Sequence, residues 1–72
     1  MSDLPERILQ TTLDDGRVIN RSDVIRIRGR KFYWRFLYER ENGDLTLWGP
    51  VTKQGQTKDR GSFVSIRKDE VL

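Results

Sequence analysis

The clearest pattern along the chain is an alternation of apolar and polar positions with a period of two. Val24-Ile25-Arg26-Ile27-Arg28 places Ile25 and Ile27 on one side and Arg26 and Arg28 on the other, and Gly29 ends the run. An aromatic stretch, Lys31-Phe32-Tyr33-Trp34-Arg35-Phe36-Leu37-Tyr38-Glu39-Arg40, is followed by Glu41-Asn42-Gly43-Asp44 and then by Leu45-Thr46-Leu47-Trp48. Aromatic residues suit a pleated, half-buried surface, and Asn-Gly supplies the positive φ angles of a tight turn, so this segment predicts a β-hairpin. With Asn42 and Gly43 as the loop, Arg40 faces Leu45, Glu39 faces Thr46, Tyr38 faces Leu47 and Leu37 faces Trp48. A four-residue loop keeps these pairs; a three-residue loop with a bulge moves them by one. In the first register Phe32, Trp34, Phe36 and Tyr38 line the core with Leu47. Tyr33, Arg35, Leu37 and Glu39 then face outward with Thr46 and Trp48.

Alternation resumes in Ser62-Phe63-Val64-Ser65-Ile66-Arg67, with Val64 and Ile66 inward, and Val71 and Leu72 are expected to close the end of a barrel. Between the two, Gly49-Pro50 stops the hairpin and residues 52–61 have no periodicity, which predicts a mobile loop. Upstream, residues 8–13 and Val18-Ile19 flank Asp14-Asp15-Gly16-Arg17, the signature of a second hairpin that pairs Asp14 with Arg17. A helix competes for the same segment, because Asp3 and Glu6 have capping-box spacing and Ile8, Leu9 and Leu13 make a partial helical stripe. The strand reading is favoured, with residues 1–7 a candidate for disorder. Short strands with polar turns over residues 1–72 predict one all-β domain, a small five-stranded, partly open antiparallel barrel. A ten-residue aromatic strand is longer than one wall of so small a core, so it is expected to bend and serve both halves.

Composition narrows the chemistry. The 72 residues include no His and no Cys, which leaves no disulfide, thiolate zinc site, thiol nucleophile or imidazole base. The carboxylate pairs Asp14-Asp15 and Asp69-Glu70 are adjacent and would point to opposite faces of a strand. The expectation is a binding protein that is not an enzyme and uses no metal or cofactor. Charge is segregated: residues 17–40 carry a balance of +6, residues 1–16 carry −3, and residues 41–72 are neutral, within a total of +3. No run approaches the roughly 20 apolar residues of a membrane span, and no basic and apolar signal region opens the chain. A cytoplasmic location away from membranes is expected.

The segment Val24-Ile25-Arg26-Ile27-Arg28-Gly29-Arg30-Lys31-Phe32-Tyr33-Trp34-Arg35-Phe36, with Trp48-Gly49-Pro50 and the stretch from Ser62 to Val71, resembles small phage-encoded proteins of unknown function that have an SH3-like barrel. In both, a basic strand and Gly precede an aromatic strand, and a basic strand ending in a charged turn and Val follows. The similarity covers roughly residues 24–71. It implies an SH3-like fold and an accessory role of viral origin, and it brings no functional residues with it.

Two surfaces follow from the predicted faces. Arg26, Arg28 and Arg35 lie with Tyr33 on one sheet surface, with Arg30 and Lys31 at the connecting turn, and guanidinium forks beside a stackable ring are what a sheet uses to hold phosphates and unstacked bases of DNA or RNA. The competing reading is a protein interface for a host or viral protein, or the seam of a homodimer, built from Leu37, Trp48, Phe63 and Tyr33. The blander readings are a solvated basic face, and a Trp48 buried beneath residues 8–13.

Overall fold

Reversals at short polar turns lay down six strands in the computed structural model, which describes residues 9–72. They are β1 (Gln10–Thr12), β2 (Val18–Asn20), β3 (Val24–Arg26), β4 (Tyr33–Glu39), β5 (Leu45–Val51) and β6 (Thr57–Ile66), followed by a 3-10 turn at Lys68–Glu70. The described residues contain no α-helix, so nothing among them is a helix long and apolar enough to cross a membrane. The expected all-β class holds. The strands number six rather than five, however, and they form two antiparallel sheets, β1-β2 and the meander β3-β4-β5-β6, without a closed barrel. An isolated bridge between Ile27 and Val71 brings the end of the chain back to β3, as the apolar Val71 predicted. The hairpin reading of residues 10–20 is correct; the capping-box spacing at Asp3 and Glu6 and the expected disorder of residues 1–7 lie outside the described residues.

Three hairpin turns share one geometry. Leu13, Arg40 and Thr52 each donate a backbone N–H to the carbonyl four residues on, at 2.7–2.8 Å, and each accepts one from the glycine three residues on, at 2.8–2.9 Å. Those glycines, Gly16, Gly43 and Gly55, have φ of 91°, 92° and 90°. This is the three-residue loop in which a single left-handed glycine makes a bulge, rather than the two-residue loop that demands positive φ at both central positions. Asp14 therefore does not pair with Arg17; Leu13 does. In the aromatic hairpin the partners become Glu39 with Leu45, Tyr38 with Thr46, Phe36 with Leu47 and Arg35 with Trp48.

That register contains a second irregularity: between the Phe36 and Tyr38 pairs, β4 has an extra residue, Leu37. Side chains beyond it change sides. Tyr38, expected in the core, lies beside Thr46 on the outward side. Glu39, expected outward, turns inward opposite Leu45, where it accepts a hydrogen bond from Thr11 Oγ1 at 2.5 Å and meets Lys68 Nζ at 3.4 Å.

The core lies between the two sheets. Leu13 and Ile19 from the small sheet pack with Ile25, Ile27, Trp34, Phe36, Leu45, Leu47, Ile66 and Val71, and Val64 packs half-buried at the margin. Since burying an apolar side chain of this size is worth about 1.5–3 kcal/mol, these positions hold the fold. Phe32 does not belong to them. It precedes the first ladder pair of β4, Arg26 with Tyr33, and is 43% exposed. Residues 52–61 also differ from the expected loop: 52–56 form a tight turn and β6 begins at Thr57. The ladder to β5 is interrupted between Val51–Thr57 and Gly49–Ser62, with Asp59 at φ 50°, which is where the missing periodicity shows.

Candidate nucleic-acid interface

On the outward side of the meander, Val24, Arg35, Trp48 and Phe63 are register partners in one row across all four strands. Arg26 and Tyr33 form the neighbouring pair two residues along. The outward placement of Tyr33, Arg35 and Trp48 thus matches the alternation. Trp48 is half-buried. Its indole is fixed from three directions. Nε1 donates to Thr57 Oγ1 at 3.0 Å, the ring meets Phe63 edge-on with centroids 4.8 Å apart, and Gly61 lies against the ring so closely that a Cβ there would collide with it. Phe63 is 67% exposed.

Arg35 sits in the same row but is differently employed. Its Nη2 donates to the carbonyl of Gly55, and the guanidinium lies against that glycine together with Val24. This ties the β5–β6 turn to the sheet, so Arg35 is a structural clasp and the part expected of it as a phosphate contact passes to its neighbours.

Those neighbours are held on rings. The Arg26 guanidinium lies 5.6 Å from the Tyr33 ring centre, that of Arg30 5.3 Å from Trp34, and the Lys58 ammonium 4.2 Å from Phe32. Arg28 and Lys31 are exposed on the connection between β3 and β4. None of these five cations has a carboxylate within 4 Å among the described residues. Asp23, the acid nearest to Arg26 in sequence, accepts the backbone N–H of Asn20 at 2.8 Å. Trp34 Nε1 is buried beside Arg30 with no hydrogen-bond partner among the described residues, an omission that costs about 1–3 kcal/mol. Cations that lie on aromatic faces and have no carboxylate within 4 Å among the described residues keep N–H donors that phosphate oxygens can answer.

Past Phe63 the same face opens into a groove of about 600 Å³ lined by Arg21, Leu37, Tyr38, Arg40, Phe63 and Ser65. Of the residues expected at a protein interface, Trp48 and Phe63 touch, Leu37 meets Phe63 only across this groove, and Tyr33 belongs with the cations. Leu37 does not pair with Trp48, because the shifted register puts Arg35 there. Phe32, Lys58, Arg21 and Arg40 were not expected at either surface. Phe32 had a signal in the sequence, its place directly after Arg28-Gly29-Arg30-Lys31, where a strand is only starting. Lys58 had none, since its approach depends on the return of β6. Comparison with protein families, with characterised proteins and with solved structures finds no match to this chain.

Proposed function

We propose that this chain is a non-enzymatic binding module that contacts nucleic acid through the basic and aromatic end of its outward sheet face. Arg26, Arg28, Arg30, Lys31 and Lys58 address phosphates, and the observation that carries the reading is that all five lack a carboxylate within 4 Å among the described residues while three lie on rings. Ion-paired cations elsewhere, such as Arg17 with Asp15 and Lys68 with Glu39, have their charge already answered. The architecture is read with it as a partly open SH3-like barrel: the bridge from Ile27 to Val71 and the 3-10 turn before it bring the last residues against β3. An accessory role of viral origin in a host cytoplasm belongs to the same reading.

Binding of a labelled oligonucleotide, measured between about 50 and 200 mM salt, tests it. Three to five phosphate contacts give a log–log slope of about −2 to −3.5 on a single strand. A slope near zero, or no binding at the lower salt, overturns the reading. The exposure of Phe63 favours a second one, in which Leu37, Trp48 and Phe63 receive a host or viral protein or a second copy of the chain. Such a complex would hold its affinity as salt rises.

A further inference from the structure

Phosphate contact leaves the Trp48–Phe63 pair without a role. Resting on the reading just given, we infer that the ligand is single-stranded nucleic acid whose bases stack on Phe63 beside the fixed Trp48, while its backbone runs over the cations on either side. Three observations support this. The first is position. Tyr33, with Arg26 at its face, precedes Arg35 by two residues on β4, roughly 7 Å, and Arg35 begins the run of register partners that leads through Trp48 to Phe63. Beyond Phe63 lie Arg21 and Arg40 in the groove. A strand crossing the ring therefore meets cations both before and after it.

The second is rigidity. Trp48 is held by Thr57, Gly61 and Phe63, and the Phe63 ring is set edge-on against it at 66°. A ring already fixed in place loses little freedom when a base lies on it, which is the general advantage of preorganisation. Phe63 nonetheless stands two-thirds exposed, so its ring is open to a ligand. The third is shape. The rings lie on the neighbouring strands β5 and β6 as direct register partners. In a duplex the base faces are stacked on one another and closed to a protein ring; in a single strand they are open.

The test uses the full chain and three probes of equal length: a single strand, its duplex, and a single strand of abasic sugar-phosphate. Affinity is read by titration, and Trp48 fluorescence by difference from Trp48→Phe, which removes the signal of buried Trp34. The single strand should quench Trp48 and bind about 5- to 150-fold more tightly than the abasic strand, the range expected for one stacked base. Phe63→Ala should lose that factor on the single strand and nothing on the abasic one. Phe63→Leu, which keeps apolar area without a ring, should behave like Phe63→Ala. The inference is overturned if the duplex binds as well as the single strand, or if Phe63→Leu keeps wild-type affinity; salt-dependent binding would then still uphold phosphate contact. Failure of all three probes to bind at low salt removes both.

Discussion

The two ends of β4 gather the same residue types and use them in opposite ways. Where the chain returns to the small sheet, Glu39 of β4 accepts from Thr11 of β1 and pairs with Lys68, and Lys68 also reaches the Thr12 carbonyl at 3.4 Å. Arg67 beside it faces Asp69 at 3.4 Å, and its backbone N–H is received by Glu70 at 2.8 Å. Every polar group named there has a partner in the fold. At the β3–β4 connection Arg26, Arg30 and Lys58 lie on rings, Arg28 and Lys31 stand exposed, and the buried Trp34 Nε1 has no hydrogen-bond partner among the described residues. Charge at the first end closes the structure. At the second it remains available, and unsatisfied groups of this kind gather where a protein meets a ligand.

Breaking the first end should have the largest effect on stability. Glu39→Ala leaves the buried Thr11 hydroxyl and the Lys68 ammonium without their acceptor, at about 2 kcal/mol, which in a domain this small lowers Tm by roughly 8–16 °C. A thermal melt checks this, and the salt slope of oligonucleotide binding by the folded protein should not change. Removing ring-held cations should do the reverse. Arg30→Ala combined with Lys58→Ala forgoes cation–π contacts worth about 0.5–1 kcal/mol each, while the salt slope becomes shallower by about 1.4, at about 0.7 per lost phosphate contact. If that double variant melts as early as Glu39→Ala and its slope is unchanged, the contrast between the ends is wrong.

The smallest effect concerns Asp15, in the β1–β2 turn. The backbone N–H of Arg17 donates to its carboxylate at 3.0 Å, and the Arg17 guanidinium at 2.9 Å assists, so its carboxyl is held below the ordinary value of 3.8. A carboxyl depressed by folding adds stability above its unfolded value and loses it as pH falls through the folded one. Asp15→Asn should therefore melt slightly earlier at pH 7, and the gap should close as the pH falls below 3.8. A gap that persists in acid would mean that the turn depends on side-chain shape and not on charge. Both partners are well exposed, so solvent keeps the effect small.

Much of the inner face was legible in the chain itself. Period-two alternation selected Ile25, Ile27, Trp34, Phe36, Leu47 and Ile66, and all six are buried. Asn42-Gly43 and Asp15-Gly16 located two turns but misled on register. A two-residue loop and a three-residue loop with a bulge carry the same dipeptide, and the second strains only the glycine. Register then decided the outward face. Arg35, not Leu37, stands beside Trp48, because the loop shifts the pairing and the Leu37 bulge returns later pairs to the other side. No local propensity marks Leu37 as the extra residue; the bulge turns Glu39 toward Thr11 and Lys68, which come from segments 28 and 29 residues away.

The sequence by itself determined the all-β class, the inward stripe and the concentration of charge in residues 17–40, because each depends on composition or on the period of a strand. Tertiary structure decided which of those charges are answered. Arg35 was turned into a clasp for Gly55, Phe32 was drawn out of the core to meet Lys58, and Gly61 was placed against the ring of Trp48. Each of these contacts joins residues at least 13 positions apart on different segments, and only the folded register brings them within reach.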